Sequence, residues 1–167
     1  SDLGRIVADL IQSLSTAPTS EIADRVVAHL ARLNVASTYW PGDDEIRTTL
    51  AAESAYRRFP RARLRMFLEA IENGMRAETR QPQVERADFP IEHILPQKWK
   101  ETWPVGTLED EQERQARVHR LGNLTLLTGS LNSKVSNGPW STKRQALLDH
   151  NTIKLTGRLL ERTDDAE

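Results

Sequence analysis

Cysteine is absent from this chain of 167 residues, and its absence narrows the possible chemistry. Disulfides, thiolate zinc sites and cysteine nucleophiles are excluded, so any bound metal would have oxygen or imidazole ligands. The sequence also lacks an apolar run of the roughly 18 residues that a membrane-spanning helix needs, and its first residues do not form a secretory signal. We therefore predict a cytoplasmic protein with no membrane partner.

Positive and negative charges are nearly balanced, since the formal net charge is -1. This balance argues against a generally basic nucleic-acid binder, but the cations are segregated along the chain. Residues 54–65 contain five arginines and no acid, and residues 114–154 contain seven cations against Asp149 alone. Such segments suit a phosphate backbone, because binding releases counterions. The alternative is that these cations only form helix faces exposed to solvent, without binding a nucleic acid.

Helical periodicity of apolar residues extends through the first half of the chain. It predicts four helices, which cover about residues 1–15, 20–33 with Ser20 as N-cap, 43–56 and 64–75. A polar linker over residues 77–87 follows them. We expect residues 1–87 to form a helical region.

The pattern changes to short apolar pieces after this linker. Two strands are predicted at about residues 89–94 and 124–128, with a helix from Glu109 to Val118 between them. Three short helices follow: one capped by Ser130, one capped by Ser141 or Thr142, and one over residues 153–162. The expected fold class is α+β and mainly helical, with residues 164–167 forming a flexible tail.

Glu92 and His93 stand side by side among the apolar residues Ile91, Ile94 and Leu95. Neighbours on a strand point to opposite faces, so this pair can share one centre only where the strand ends or bends. Pro96 supplies such an end. An ionised glutamate in a buried frame needs a cation or strong donors. A surface histidine beside a glutamate is the plain alternative.

Two asparagines lie on either side of the second predicted strand. Asn123 precedes it, and Asn132 lies nine residues later, beyond the turn at residues 128–130. A hairpin followed by a helix would return Asn132 to the first strand. An amide oxygen suits hard cations such as Mg²⁺ or Mn²⁺, and an amide N–H can orient an imidazole. Ordinary turn or capping roles remain equally open on spacing alone.

The blocks EHILPQ (92–97), LGNLTLL (121–127) and the later LN…K…N pattern resemble the HNH branch of the His-Me finger nucleases. Among these they are similar to the domain that ends GmrSD-type modification-dependent restriction proteins, with related domains in Ssp-type phosphorothioate-linked anti-phage proteins. The resemblance implies a ββα-metal core at residues 88–163, packed against the helical bundle of residues 1–87. It also implies a divalent cofactor, Mg²⁺ or Mn²⁺.

The resemblance implies a role for each motif residue. His93 would be the general base that takes a proton from the attacking water, and its ordinary pKa of about 6.5 keeps it neutral at cellular pH. Glu92 and Asn132 would be metal ligands, while Asn123 would hold the loop or orient His93. Many relatives carry aspartate in place of Glu92 and histidine in place of Asn132, and the neutral Asn132 favours Mg²⁺ or Mn²⁺ over zinc.

We expect DNA phosphates to contact cations near these motifs and in the arginine-rich segment 54–65. The predicted DNA-binding residues are Lys134, Lys143, Arg144, His119, Arg120, Arg61 and Arg63. His119 could instead be a proton donor or a core histidine.

The expected function is that of a metal-dependent DNA endonuclease, either a nickase or a double-strand cutter, in a restriction or anti-phage defence protein. We expect the chain to be the C-terminal part of a larger protein, whose N-terminal sensor or NTPase-like domain would recognise modified DNA. Two alternatives stay open: a non-catalytic DNA-binding or interaction module on the same fold, and a nuclease that acts on RNA.

Overall fold

A computed structural model of the protein describes residues 2–162. It is mainly helical and, within these residues, contains one antiparallel sheet of two strands, as the α+β prediction requires. The predicted tail at residues 164–167 lies outside the described residues. The elements are α1 (Asp2–Leu14), α2 (Ile22–Ala31), α3 (Asp43–Ala52), α4 (Ala55–Arg58), α5 (Arg61–Glu78), β1 (Ile91–His93), α6 (Leu108–Arg117), β2 (Leu124–Leu126), α7 (Gly129–Val135), α8 (Trp140–His150) and α9 (Lys154–Arg162).

The chain divides between Thr49 and Leu50 into two compact units. In the first unit α1 packs against α2, and Arg25 donates a hydrogen bond to the Ser13 carbonyl at 3.2 Å. The predicted Ser20 N-cap is wrong, because a turn of 3₁₀ helix over Thr19–Glu21 precedes α2 and no side chain caps that helix.

The predicted helix over residues 43–56 is interrupted. It ends at Ala52, and a separate turn of helix, α4, begins after Ser54, whose φ of -73° and ψ of 68° are not helical. This break lies within the second unit, and Ala55, which follows it, is fully buried. Helix α5 then runs without interruption through Gly74, which the sequence pattern placed near a helix end.

The sheet pairs Ile91 with Leu126, Glu92 with Thr125, and His93 with Leu124. Because side chains alternate along a strand, Leu124 and Leu126 share one face of the hairpin. They pack in a core with Leu64 and Leu68 of α5. The buried and partly buried members of this core are Ala55, Leu64, Leu68, Leu124, Leu126, Tyr56, Phe59, Phe89, Ile91, Leu121 and Leu155. Helix α5, predicted as part of the helical region, therefore covers one face of the sheet.

A second core lies among α7, α8 and α9. Its buried members are Ile94, Leu127, Leu131, Val135, Leu147 and Leu160. Thr128, not the predicted Ser130, caps α7 by accepting a hydrogen bond from the Leu131 N–H at 3.3 Å. Helix α8 begins two or three residues earlier than predicted, after Pro139, and no side chain caps it. Proline suits a helix start because its missing N–H would be unpaired there anyway.

Helix α9 is fastened to α5 by the fully buried Glu72. The carboxylate accepts hydrogen bonds from the Leu155 N–H at 2.8 Å, the Lys154 N–H at 3.1 Å and Arg76 Nε at 2.6 Å. A negative charge at the start of a helix is favourable, because the first N–H groups of the helix lack intrahelical partners. Thr156 of α9 in turn exchanges a hydrogen bond of 2.7 Å with Thr125 of β2.

Across residues 2–162, none of the helices combines the length and the apolar character that crossing a membrane demands.

Candidate active site

His93 is the last residue of β1 and is 4 % exposed. Its imidazole meets the Tyr56 ring edge to face, with centroids 4.3 Å apart, and the His119 ring at 5.5 Å. The Nε2 atom is buried, and no hydrogen-bond partner for it exists among the residues that the structure describes. A buried imidazole nitrogen without a partner is unusual, because most buried polar atoms are hydrogen-bonded.

The environment of His93 keeps its ring neutral. Burial lowers the pKa of the His93 imidazole to about 4, and the positive charges of His119, Lys143 and Arg61 act in the same direction. Burial also lowers the pKa of His119, assisted by Arg57 and Arg61. A neutral imidazole can accept a proton, which is the state that a general base requires.

Because the His93 imidazole is buried and neutral, we expect the folded protein to lose stability at acidic pH. The unfolded chain takes up a proton at His93 near pH 6.5, whereas the folded protein resists until about pH 4. The contribution of His93 to the free energy of unfolding is therefore constant above pH 6.5. It falls as the pH drops from 6.5 toward 4, by at most about 1.4 kcal/mol per pH unit. Urea unfolding at several pH values measures this effect. As the pH is lowered, the free energy of unfolding should fall less steeply for His93→Gln than for the native chain. The exposed His150→Gln is the control, and equal slopes for native and His93→Gln proteins would contradict the prediction.

Glu92 lies beside His93 in sequence but makes different contacts. Its Oε1 accepts a hydrogen bond from Lys143 Nζ at 2.7 Å, and the same ammonium donates to the carbonyls of His93 at 2.6 Å and Ser136 at 3.1 Å. Lys143 is 0 % exposed. Burial lowers the pKa of Lys143, while Glu92 raises it. The prediction that Lys143 contacts DNA phosphate is therefore wrong: a fully buried amino group with three protein acceptors cannot face a nucleic acid.

Glu92 and His93 point to opposite faces of the hairpin, as neighbours on a strand do. His93 faces Tyr56 of α4, whereas Glu92 faces Lys143 of α8. The expectation that the end of the strand would bring both side chains to one point is not met by these contacts. Lys143 nevertheless connects the two residues, because it bonds both the Glu92 carboxylate and the His93 carbonyl.

Asn123 closes the open end of the hairpin. Its Oδ1 accepts from the Leu95 N–H at 2.7 Å, and its Nδ2 donates to the carbonyls of Leu95 at 2.9 Å and Val118 at 2.7 Å. The Asn123 carbonyl also accepts from the Ile94 N–H at 2.9 Å. These bonds tie the loop after β1 to the segment before β2, and a catalytic role for Asn123 stays a prediction. The expectation that the amide orients the His93 ring does not hold, because the amide bonds backbone groups.

Asn132 lies on α7 and its Oδ1 is buried without a hydrogen-bond partner in residues 2–162. The structure records no hydrogen bond that joins this amide to Glu92 or His93 within that range. Two predicted cations lie nearby in sequence: Lys134 is exposed and 3.5 Å from His150 Nε2, and Arg144 is half-buried on α8.

The remaining predicted DNA contacts differ in accessibility. His119 is 6 % exposed and stacks on Tyr56 at 5.7 Å, so it is a buried part of the ring cluster and not a surface phosphate contact. Arg120 is half-buried. Arg61 lies over the Tyr56 ring, with its guanidinium carbon 3.4 Å from the ring centroid, and Arg63 is exposed at the start of α5.

Tyr56 is the residue of this site that the sequence motifs do not reveal. It contacts both histidines and Arg61, and its backbone N–H donates to the His119 carbonyl at 3.0 Å. The only sequence signal was its position at the head of the arginine-rich segment 54–65.

The chemistry of the available donors is compatible with a hard divalent cation. The described residues contain no group of three or more histidine, cysteine, aspartate or glutamate side chains that could hold a metal. Asn132 Oδ1 is nevertheless a buried oxygen without a hydrogen-bond partner in residues 2–162, and the Glu92 carboxylate has a second oxygen besides the one that Lys143 binds. Mg²⁺ is commonly held by one or two protein ligands together with water, so one carboxylate and one amide are donors of the type that this ion takes, although no contact joins Glu92 to Asn132 within residues 2–162.

Comparison with known proteins gives a match to a family model. Neither a curated protein nor a solved structure matches the chain. A family model does match, over residues 40–167, and its description is "GmrSD restriction endonucleases, C-terminal domain". The matched range covers all of β1, β2 and α3 to α9 and confirms the resemblance noted from the sequence blocks. The chain thus belongs to the family of C-terminal domains of GmrSD restriction endonucleases.

Proposed function

We propose that this domain hydrolyses DNA phosphodiester bonds as an HNH-type endonuclease that depends on Mg²⁺ or Mn²⁺. The observation that carries the proposal is the buried, neutral His93 at the end of β1, with an unpartnered Nε2 among the described residues, in a chain of a restriction endonuclease family. In this reaction His93 accepts the proton of the attacking water.

The other residues divide the remaining tasks. Asn123 keeps the end of β1 in register with the segment before β2, so that His93 stays in place. Glu92 and Asn132 are the proposed ligands of the divalent ion, on the ββα-metal pattern. The bound ion would supply charge stabilisation for the scissile phosphate. Lys143 holds the Glu92 carboxylate against the hairpin.

A basic cavity beside the ring cluster can receive phosphate. Tyr56 and Arg61, which belong to the surroundings of His93, line this cavity of about 370 Å³ together with Arg65 and Ile91. Ile91 and His93 lie on the same face of β1, because they are two residues apart on one strand. A DNA phosphate that flanks the scissile one is therefore the proposed occupant, and it would approach from the side of α4 and α5.

The test is the conversion of supercoiled plasmid to nicked or linear forms. We expect conversion with Mg²⁺ or Mn²⁺ and none when EDTA is present, because two protein ligands release the ion readily to a chelator. Single-stranded RNA incubated in parallel separates a DNA nuclease from an RNA nuclease. Plasmid that stays supercoiled at every metal concentration, while RNA is degraded, would contradict the DNA proposal.

One observation favours a second function. The Lys143 ammonium neutralises Glu92, the only acid among the proposed metal ligands. A non-catalytic DNA-binding module that keeps the fold as a scaffold would tolerate this pair. Such a module predicts DNA retardation in gels with no change of plasmid topology.

An exposed arginine on α5, the helix that covers the His93 face of the sheet, should strengthen DNA binding. Arg63 is exposed at the first turn of α5, on the element that covers the His93 face of the sheet. We expect Arg63→Ala to weaken DNA binding uniformly across sequences and to reduce the salt slope by about 1. Fluorescence anisotropy at several salt concentrations measures both quantities. Arg158→Ala, which removes an exposed arginine of α9, is the control. If both variants change the DNA affinity and its salt slope equally, Arg63 belongs to a helix face exposed to solvent and not to a DNA-binding surface.

A further inference from the structure

Among the described residues, the hydrogen bonds that would normally fix a catalytic histidine are missing around the His93 ring. A histidine base is usually oriented by a hydrogen bond at the nitrogen that does not react. The structure gives neither His93 ring nitrogen a hydrogen bond from any residue in the described range, while the backbone carbonyl of His93 binds Lys143. Something else must hold the plane of the ring.

The nearest recorded ring is that of Tyr56. Its centroid lies 4.3 Å from that of His93 at an interplanar angle of 72°, which is the edge-to-face geometry that aromatic pairs favour. The other ring, His119, is farther away at 5.5 Å and is itself stacked on Tyr56. Tyr56 thus contacts the buried imidazole directly and also stacks on the second ring that contacts it.

Tyr56 is itself held from several directions. Its N–H donates to the His119 carbonyl at 3.0 Å, its carbonyl accepts from Arg61, and the Arg61 guanidinium covers its ring. The preceding Ala55 is fully buried. A ring anchored through its backbone on one side and through a cation on the other can resist rotation of its neighbour.

We infer that Tyr56 is a positioning residue, whose ring fixes the orientation of the His93 imidazole. This role rests on the proposed function only for its effect on catalysis, because the orientation of the ring exists with or without cleavage. The ring carries the effect, since the Tyr56 hydroxyl makes no recorded hydrogen bond with either histidine in residues 2–162.

The experiment compares three variants of the full chain. Tyr56→Phe keeps the ring, Tyr56→Leu removes it, and Phe59→Leu removes a ring from the same core that contacts Phe67 and not His93. We expect Tyr56→Leu to lower kcat about 10- to 100-fold, a larger change than in the Kd for DNA, because misorientation of the base affects the chemical step. Phe59→Leu should retain nearly native kcat, and Tyr56→Phe should lose much less than Tyr56→Leu because it keeps the ring.

NMR of the His93 Cε1–H signal supplies a measurement that needs no cleavage. One sharp signal is expected in the native chain, Tyr56→Phe and Phe59→Leu, and a shifted or exchange-broadened signal in Tyr56→Leu. Equal effects of Tyr56→Leu and Phe59→Leu on this signal would overturn the inference, as would a loss in Tyr56→Phe as large as in Tyr56→Leu. Absence of cleavage by the native chain would overturn the proposed function alone, since the NMR comparison still decides the role of Tyr56.

Discussion

Replacement of His93 by alanine should abolish plasmid cleavage while leaving DNA binding intact. His93 is the only group at the end of β1 that combines a neutral state at pH 7 with a buried nitrogen lacking a partner in the described chain. Loss of a general base typically lowers the rate by about 10²- to 10⁴-fold. Cleavage of supercoiled plasmid and anisotropy with a labelled duplex measure the two quantities separately.

The His93→Ala variant needs a check on folding, because the side chain is 4 % exposed. Its removal loses packing against Tyr56 but also removes a buried nitrogen that has no partner among residues 2–162, so the two effects on stability oppose each other. We expect the thermal transition to stay nearly unchanged. The exposed His150→Ala should cleave at the native rate. Native activity in His93→Ala would remove the basis of the nuclease proposal.

The sequence predicted the parts of the fold that depend on local pattern. Helices α1, α6 and α9 lie close to their predicted bounds, because apolar spacing and charged ends specify them. Both strands are present but shorter than predicted. Pro90 has no N–H to extend the ladder beyond Ile91, and beyond His93 the chain is held by the backbone carbonyl and the side chain of Asn123.

The misassigned residues are those whose roles depend on tertiary contacts. Lysine is rarely buried, so the sequence placed Lys143 on the surface, and only the packing of α8 shows that its amino group meets Glu92. The break at Ser54 decides that Tyr56 reaches His93, yet no proline or glycine marks it. His119 likewise became a buried ring because α4 covers it.

The second large effect concerns stability and arises from Lys143. We expect Lys143→Met to cost about 3–5 kcal/mol in the free energy of unfolding, because it leaves the Glu92 carboxylate without its cation. The carbonyls of His93 and Ser136 lose the same donor. Urea unfolding measures the cost. Lys134→Met, an exposed lysine on α7, is the matched control and should change stability by no more than about 0.5 kcal/mol.

Combining Lys143→Met with Glu92→Gln separates the structural role of this pair from its proposed catalytic role. Removing both charges eliminates the unpaired carboxylate, so the double variant should regain much of the lost stability. Cleavage should not return, because the neutral amide that Glu92→Gln introduces is a weaker ligand for a divalent ion than a carboxylate. Recovery of both stability and cleavage would show that Glu92 serves only to bind Lys143. A cost for Lys143→Met as small as that for Lys134→Met would contradict the buried ion pair itself.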